Sequence, residues 1–238
     1  MSFAQIKAVL FDKDGTLFDF SASWSGWAAQ LLSDLSCGDE AKAERLANAI
    51  EYDLSERRFR PTSPVIAGTL AEATELLLPH LPAETFASLS EHLLRSSAAA
   101  EMVPPLPLVP LLDRLAAHGL KLGVATNDGV ASAIAHLTRA GILKHFTQVL
   151  GYDSGYTPKP APDMLLAFVA HLKLEPAHVV MVGDSTHDLV AGRAAGMPTI
   201  GVLTGMASAA ELHPYADRVI PDVGHLPAAL GLMSQHAN

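Results

Sequence analysis

From about residue 107 onward the chain alternates helical patterning with short, continuous apolar runs, and this alternation leaves few folds open. Helices are expected over 107–118, 129–140, 161–173 and 186–195. Between and after them lie strand-like runs at Leu120-Lys121-Leu122-Gly123-Val124-Ala125, Thr147-Gln148-Val149-Leu150, His178-Val179-Val180-Met181-Val182 and Pro198-Thr199-Ile200-Gly201-Val202, with a last strand near Arg218-Val219-Ile220. Near the start, Ala8-Val9-Leu10-Phe11 supplies another, within about 6–11. Strands separated by helices pair in parallel through crossovers, and both faces of the sheet are then covered by helices. The expectation is an α/β, doubly wound domain with a mostly parallel sheet.

The segment between the first strand and residue 103 patterns differently. Helices are expected over 22–36, 39–55, 68–78 and 83–101, with no strand signal. It closes at Val103-Pro104-Pro105-Leu106-Pro107, which cannot sit inside a helix and suits a hinge. An all-helical insertion is therefore placed at 18–103, leaving 1–17 and 104–238 as the α/β core. With 49% hydrophobic and 17% charged residues the composition is globular rather than disordered. A net charge of −9 disfavours a general binder of nucleic acid or of anionic membrane. Cys37 is the only cysteine, which excludes an intrachain disulfide and reads as structural. The first residues lack the basic start and apolar core of a signal peptide, and no apolar stretch is long enough to span a bilayer, so a cytoplasmic chain is expected.

Open parallel sheets bind ligands beyond the carboxyl ends of their strands. Polar residues collect there four times: Asp12 and Asp14 after the first strand, Thr126-Asn127-Asp128 after the second, Gly151-Tyr152-Asp153 after the third and Gly183-Asp184 after the fourth. Asp12 and Asp14 stand two apart in Asp12-Lys13-Asp14-Gly15-Thr16, a spacing that faces both carboxylates the same way if the strand continues. Such crowding costs energy unless a cation or a substrate proton offsets it. Read alone, the pentapeptide is also compatible with an acidic turn. In Gly183-Asp184-Ser185-Thr186-His187-Asp188 the two aspartates fall at i and i+4 of a helix start. They suit an oxygen-ligated Mg2+, or Asp184 or Ser185 serves as an ordinary N-cap. Thr126 and Asn127 offer a hydroxyl and backbone N–H groups at another helix start, and Lys159 is a cation in the stiff segment Thr157-Pro158-Lys159-Pro160.

In this order the motifs resemble the haloacid dehalogenase (HAD) superfamily of phosphohydrolases. The resemblance implies a Rossmann-like core, and the insertion is similar to the helical cap of phosphoglycolate-phosphatase-like members. It further implies Asp12 as the nucleophile that forms an aspartyl-phosphate, Asp14 as acid and base, and Thr126, the Asn127 backbone and Lys159 as holders of the phosphoryl group. Mg2+ would be bound by Asp12, the Asp14 carbonyl and Asp184, with Asp188 assisting. Asp14 separates this chain from the dehalogenase branch, which lacks an acid there, and from the ion-pumping ATPases, which carry threonine. Departures from the usual pattern are Lys13, where an aliphatic residue is common, and Phe20 after Asp19, where serine is common. Strand alternation points Lys13 away from the two aspartates, as a pairing or packing residue. Asp19 reads as a helix N-terminal carboxylate or as an aid to the hinge or the metal's outer shell.

Within the insertion, Glu56-Arg57-Arg58-Phe59-Arg60 is the densest basic cluster. Arg58 or Arg60 would read a carboxylate or second phosphate if this loop covers the site; otherwise the cluster is a solvated helix end. Trp24 and Trp27, spaced i and i+3, read as cap packing. The eleven histidines show no metal spacing, and only His187 falls beside a candidate ligand. The resemblance implies a Mg2+-dependent phosphatase for a small phosphorylated metabolite, acting as a monomer or homodimer. A phosphosugar mutase like the β-phosphoglucomutases, or a non-catalytic protein on the same fold, are the alternatives.

Overall fold

The computed structural model describes residues 3–232. Six strands form one sheet: β1 (Ala8–Phe11), β4 (Lys121–Ala125), β5 (Phe146–Leu150), β6 (Val179–Gly183), β7 (Thr199–Val202) and β8 (Arg218–Ile220). Their order is β5-β4-β1-β6-β7-β8 and every pairing is parallel. The chain winds outward from β1 through β4 and β5, then returns to β1's other side and winds outward again. The reversal leaves a crevice between β1 and β6, where doubly wound sheets bind ligands. All residues of β1 and β6 are buried, as both-face coverage requires of central strands. One cluster packs Val9, Leu122, Val180 and Ile200, and another packs Leu10, Met181 and Phe168. Each such side chain, fully withdrawn from water, contributes about 1.5–3 kcal/mol. Helices α5 (Leu108–Ala117), α6 (Val130–Arg139), α7 (Asp163–Leu172) and α8 (Thr186–Ala194) connect the strands, close to the expected bounds.

A third apolar cluster draws its buried residues from between Phe20 and Ala100, around helices α1 (Phe20–Ser36), α2 (Glu40–Ala49), α3 (Leu70–Leu77) and α4 (Phe86–Ala99). This insertion is not wholly helical. The helix expected over 39–55 stops at Ala49, and a hairpin of β2 (Tyr52–Asp53) and β3 (Arg58–Phe59) follows. Asp53 Oδ1 accepts from the backbone N–H groups of Ser55 and Glu56, which turns the chain. Opposed Tyr52 and Phe59 then pack edge to face at 5.1 Å, and Phe59 meets Phe20 at 5.8 Å. A cross-strand aromatic pair outweighs the helical pattern of the charges around it.

The two crossings into the insertion run side by side. Asp19 N–H donates to Val103 O at 2.8 Å, Val103 N–H to Ser23 Oγ at 3.0 Å, and Phe20 N–H to Thr204 O at 3.2 Å. At the far side, core α6 meets the end of α4. His136 Nε2 donates to Ser97 O at 2.9 Å and the Arg139 guanidinium donates to Ala98 O. Among the described residues, no helix is long and apolar enough to cross a membrane.

Candidate active site

Asp12, Thr126 and Asn127, and Asp184, at the ends of β1, β4 and β6, line one cavity of about 110 Å3 between core and insertion, together with Asp14, Lys159 and Asp188. The other expected edge residue, Asp153, is used elsewhere: its Oδ1 accepts from Val130 N–H at the start of α6.

Asp12, Asp184 and Asp188 are buried, and each presents a carboxylate oxygen within 4.8 Å of the others. Lys159, 4% exposed, donates to Asp12 Oδ1 at 2.5 Å and to Asp188 Oδ1 at 2.6 Å. The other Asp188 oxygen, Oδ2, accepts from Ser185 N–H at 3.0 Å and from its hydroxyl at 2.7 Å, so Ser185 caps α8 and Asp188 joins that cap to the lysine. Burial foremost, with Asp188 and Asp14 adding, pushes the Asp12 carboxyl up to about 7 although the Lys159 ammonium opposes it. Burial also drives Asp184 well above the ordinary carboxylate range, reinforced by Asp188 and Asp12. For Lys159 burial acts downward, but Asp12 and Asp188 outweigh it and hold the ammonium above its ordinary value. Three buried carboxylates share one ammonium. A hard divalent cation would relieve the deficit, and an all-oxygen donor set suits one.

Room around Asp184 is kept by glycine. A Cβ on Gly15, which has φ +79°, would lie 2.3 Å from Asp184 Oδ2, and one on Gly205 would lie 1.7 Å from it. Thr16 Oγ1 donates to Asp184 Oδ1 at 3.2 Å, and Thr204 Oγ1 donates to Gly15 O at 2.6 Å.

Asn127 works through its side chain on the frame. Its Nδ2 donates to Lys159 O and to Ala67 O of the insertion, both at 2.9 Å, and its Oδ1 accepts from Lys159 N–H at 3.0 Å. This fixes the lysine backbone. Thr126 Oγ1 accepts from Asp128 N–H at 3.1 Å, so its hydroxyl proton is not spent there.

Lys13 corrects the expectation drawn from strand alternation. β1 ends at Phe11, so alternation no longer applies, and the Lys13 ammonium turns to Asp14 Oδ1 at 2.7 Å. It is fully buried, pairs also with Asp128 Oδ2 at 3.0 Å, and donates to His136 Nδ1 at 3.1 Å. A carbonyl can only accept and an ammonium can only donate, so His136 is the neutral tautomer with its proton on Nε2. Burial, and next the Lys13 charge, lower its pKa in agreement.

Trp24 belongs to the cap cluster as expected, yet its indole N–H also donates to Asp14 Oδ1 at 2.9 Å. Nothing in its i, i+3 spacing with Trp27 signals that bond, nor the partners of Lys13 more than a hundred residues away. Asp19 caps α1 by accepting from Ala22 N–H at 2.8 Å. His187 lines the cavity; Arg58 and Arg60 do not. Both are exposed: Arg58 stands in β3 beside inward-facing Phe59, with its guanidinium 3.8 Å from Glu56, and Arg60 follows the end of that strand.

Carboxylates gathered around a buried lysine at the switch point of a parallel sheet, under an inserted cap, are the equipment of a hydrolase that works by displacement. The family model for haloacid dehalogenase-like hydrolases matches residues 6–196, and the chain belongs to that family, as a hydrolase of its phosphatase type. Among curated relatives, the "Probable phosphatase IndB" of Dickeya dadantii (strain 3937) is 30% identical over 239 residues, covering 95% of this chain and 96% of that one. The phosphoglycolate phosphatase of Yersinia pseudotuberculosis serotype I (strain IP32953) is 29% identical over 240 residues, covering 98% and 97%. Among solved structures, a predicted phosphoglycolate phosphatase from Haemophilus somnus 129pt shares the fold with a TM-score of 0.71 at 21% identity, covering 94% of this chain and 98% of that one.

Proposed function

We propose that the protein is a Mg2+-dependent phosphatase that hydrolyses a small phosphorylated metabolite through an aspartyl-phosphate on Asp12. The observation that supports this reading is the buried group of Asp12, Asp184 and Asp188 with Lys159 bridging two of them. Asp12, Asp184 and the Asp14 carbonyl would hold Mg2+, with Asp188 assisting through its lysine. Bound there, the ion supplies positive charge that keeps Asp12 ionised and offsets the charge of the transferring group.

Asp12 Oδ1 is engaged by Lys159, which leaves Oδ2 to attack phosphorus and split one displacement into two. The Thr126 hydroxyl, the Asn127 N–H and the Lys159 ammonium hold the phosphoryl oxygens as charge develops on them. Asp14 receives both its donors, Lys13 and Trp24, on Oδ1. Its Oδ2 then carries the proton, first to the departing alkoxide and later back from the attacking water.

The test is phosphate release from a panel of phosphate monoesters, with Mg2+ or with chelator, for the native chain and Asp12→Asn. Phosphoglycolate belongs in the panel because relatives carry its name. Release that needs Mg2+ and is lost in the variant is the expected result. Metal-independent release, or release retained by Asp12→Asn, would overturn the reading.

A further inference from the structure

The cap's contribution to the cavity names the other half of the substrate. Every cap side chain that lines it is uncharged, and most are apolar: Trp27, Leu31, Phe59, Ile66, Leu70 and Leu77 stand opposite the aspartates. The titratable groups in the lining, Lys159 and His187 included, all come from the core floor where the phosphoryl group would lie.

The cap's polar side chains in the lining already have hydrogen-bond partners. The Trp24 indole donates to Asp14 Oδ1, and the Trp27 indole donates to Ser96 Oγ at 3.3 Å. Ser97 Oγ donates to Leu94 O at 3.1 Å, and Thr69 Oγ1 donates to Glu72 Oε2 at 3.0 Å. That last bond also matters for charge. The start of α3 enters the cavity lining at Thr69 and Leu70, and a helix start would ordinarily favour an anion. Here it holds the helix's own carboxylate: Glu72 Oε2 accepts from Thr69 N–H at 2.6 Å in a reciprocal cap. An anionic leaving group would meet an apolar wall there, and desolvating a carboxylate without a partner is strongly unfavourable.

We infer that the ester bound here has an uncharged, apolar leaving group, a phosphate monoester of an arylalkyl or aliphatic alcohol, rather than a hydroxy acid. This rests on the phosphatase reading above and assigns the side of the substrate which that reading leaves open. The transformation is ordinary hydrolysis: the P–O bond to the alcohol breaks, water supplies the new P–O bond, and the alcohol leaves with a proton.

The experiment compares kcat/KM for benzyl phosphate and 2-phosphoglycolate in the presence of Mg2+. Both release ordinary alcohols rather than phenols, so neither gains from an unusually acidic leaving group. Binding of the non-hydrolysable pair benzylphosphonate and phosphonoacetate is measured alongside by calorimetry. The native chain should favour the benzyl member of each pair at least tenfold. Ile66→Lys, at a half-buried lining position in the loop before α3, should shrink the kinetic ratio at least tenfold. Preference for phosphoglycolate and phosphonoacetate in the native chain would overturn the inference whether or not the variant folds, as would a folded Ile66→Lys that leaves the ratio unchanged. Absence of phosphate release from both esters and from the wider panel would instead remove the phosphatase reading itself.

Discussion

Replacing Lys13 with methionine keeps most of the stem's packing and removes one buried ammonium. The side chain is fully buried, 2.7 Å from Asp14 and 3.0 Å from Asp128, so the variant strands two carboxylates. Breaking a buried pair costs about 3–5 kcal/mol when both partners are sealed from water. The Asp14 side chain is 16% exposed at the cavity and keeps its Trp24 bond, which moves the expected loss to about 3 kcal/mol. For a chain of this length that corresponds to about 6–12 °C in Tm. The pH dependence should change with it. Burial pushes the Asp128 carboxyl up, but Lys13 and the Ser132 hydroxyl outweigh burial and hold it below its ordinary 3.8. A lowered carboxyl contributes stability above pH 3.8 that is lost as pH falls through its folded value, so Lys13→Met should lose part of this acid sensitivity. Urea unfolding read by circular dichroism, and by fluorescence of the two cap tryptophans, measures the change in both parts of the molecule. Lys13→Met/Asp128→Asn should recover most of the loss. A single variant within 1 kcal/mol of native, or a double variant as unstable as the sum of the two singles, would refute the pairing account.

Lys159→Met should lower turnover by about 10^2–10^3-fold, the scale of removing one preorganised charge donor, and should depress the metal-free Tm with partial recovery on adding Mg2+. Phosphate release and thermal melts check both. Asp12, pushed up to about 7, holds its proton in the folded chain between pH 3.8 and about 7 while the unfolded chain has lost it. Chelator-treated protein should therefore lose stability as pH rises through that window, by up to about 1.4 kcal/mol per pH unit, and Mg2+ should flatten the slope. A flat profile in melts with chelator from pH 4 to 8 would contradict the burial of these carboxylates. Gly205→Ala puts a methyl 1.7 Å from Asp184 Oδ2, so the carboxylate must move. Turnover should fall at least tenfold and the Mg2+ concentration for half activity should rise, while circular dichroism stays native.

Strand ends were the legible part of the site. Short apolar runs locate the strands of a parallel sheet, and the residues immediately after them then share one edge, as Asp12, Thr126 and Asp184 do. Position along a strand says nothing about a side chain once the strand has ended. Lys13 leaves β1's alternation and, besides its sequence neighbour Asp14, reaches two partners set by the tertiary fold, both on or beside α6. Trp24 shows the same limit: helical spacing announces a buried aromatic but not which polar atom the indole N–H meets. The hairpin at 52–59 was hidden because charged residues at helical spacing surround it, while the Tyr52–Phe59 contact that favours it spans the turn. Arg58 and Arg60 drew attention as charge, yet it is Phe59 between them that turns inward. The apolar wall opposite the aspartates comes from four separate stretches of the insertion, so no local pattern reveals it.

The destination of the phosphoryl group tests the mechanism most directly. The native chain and Asp12→Asn, mixed with a hydrolysed ester and Mg2+, quenched in acid within a turnover and digested, should differ in one peptide. The native peptide spanning Asp12 should carry the mass of one phosphoryl group, and the variant's should not. A quenched native enzyme that turns over yet never carries phosphoryl on Asp12, or carries it on another residue, would contradict the mechanism.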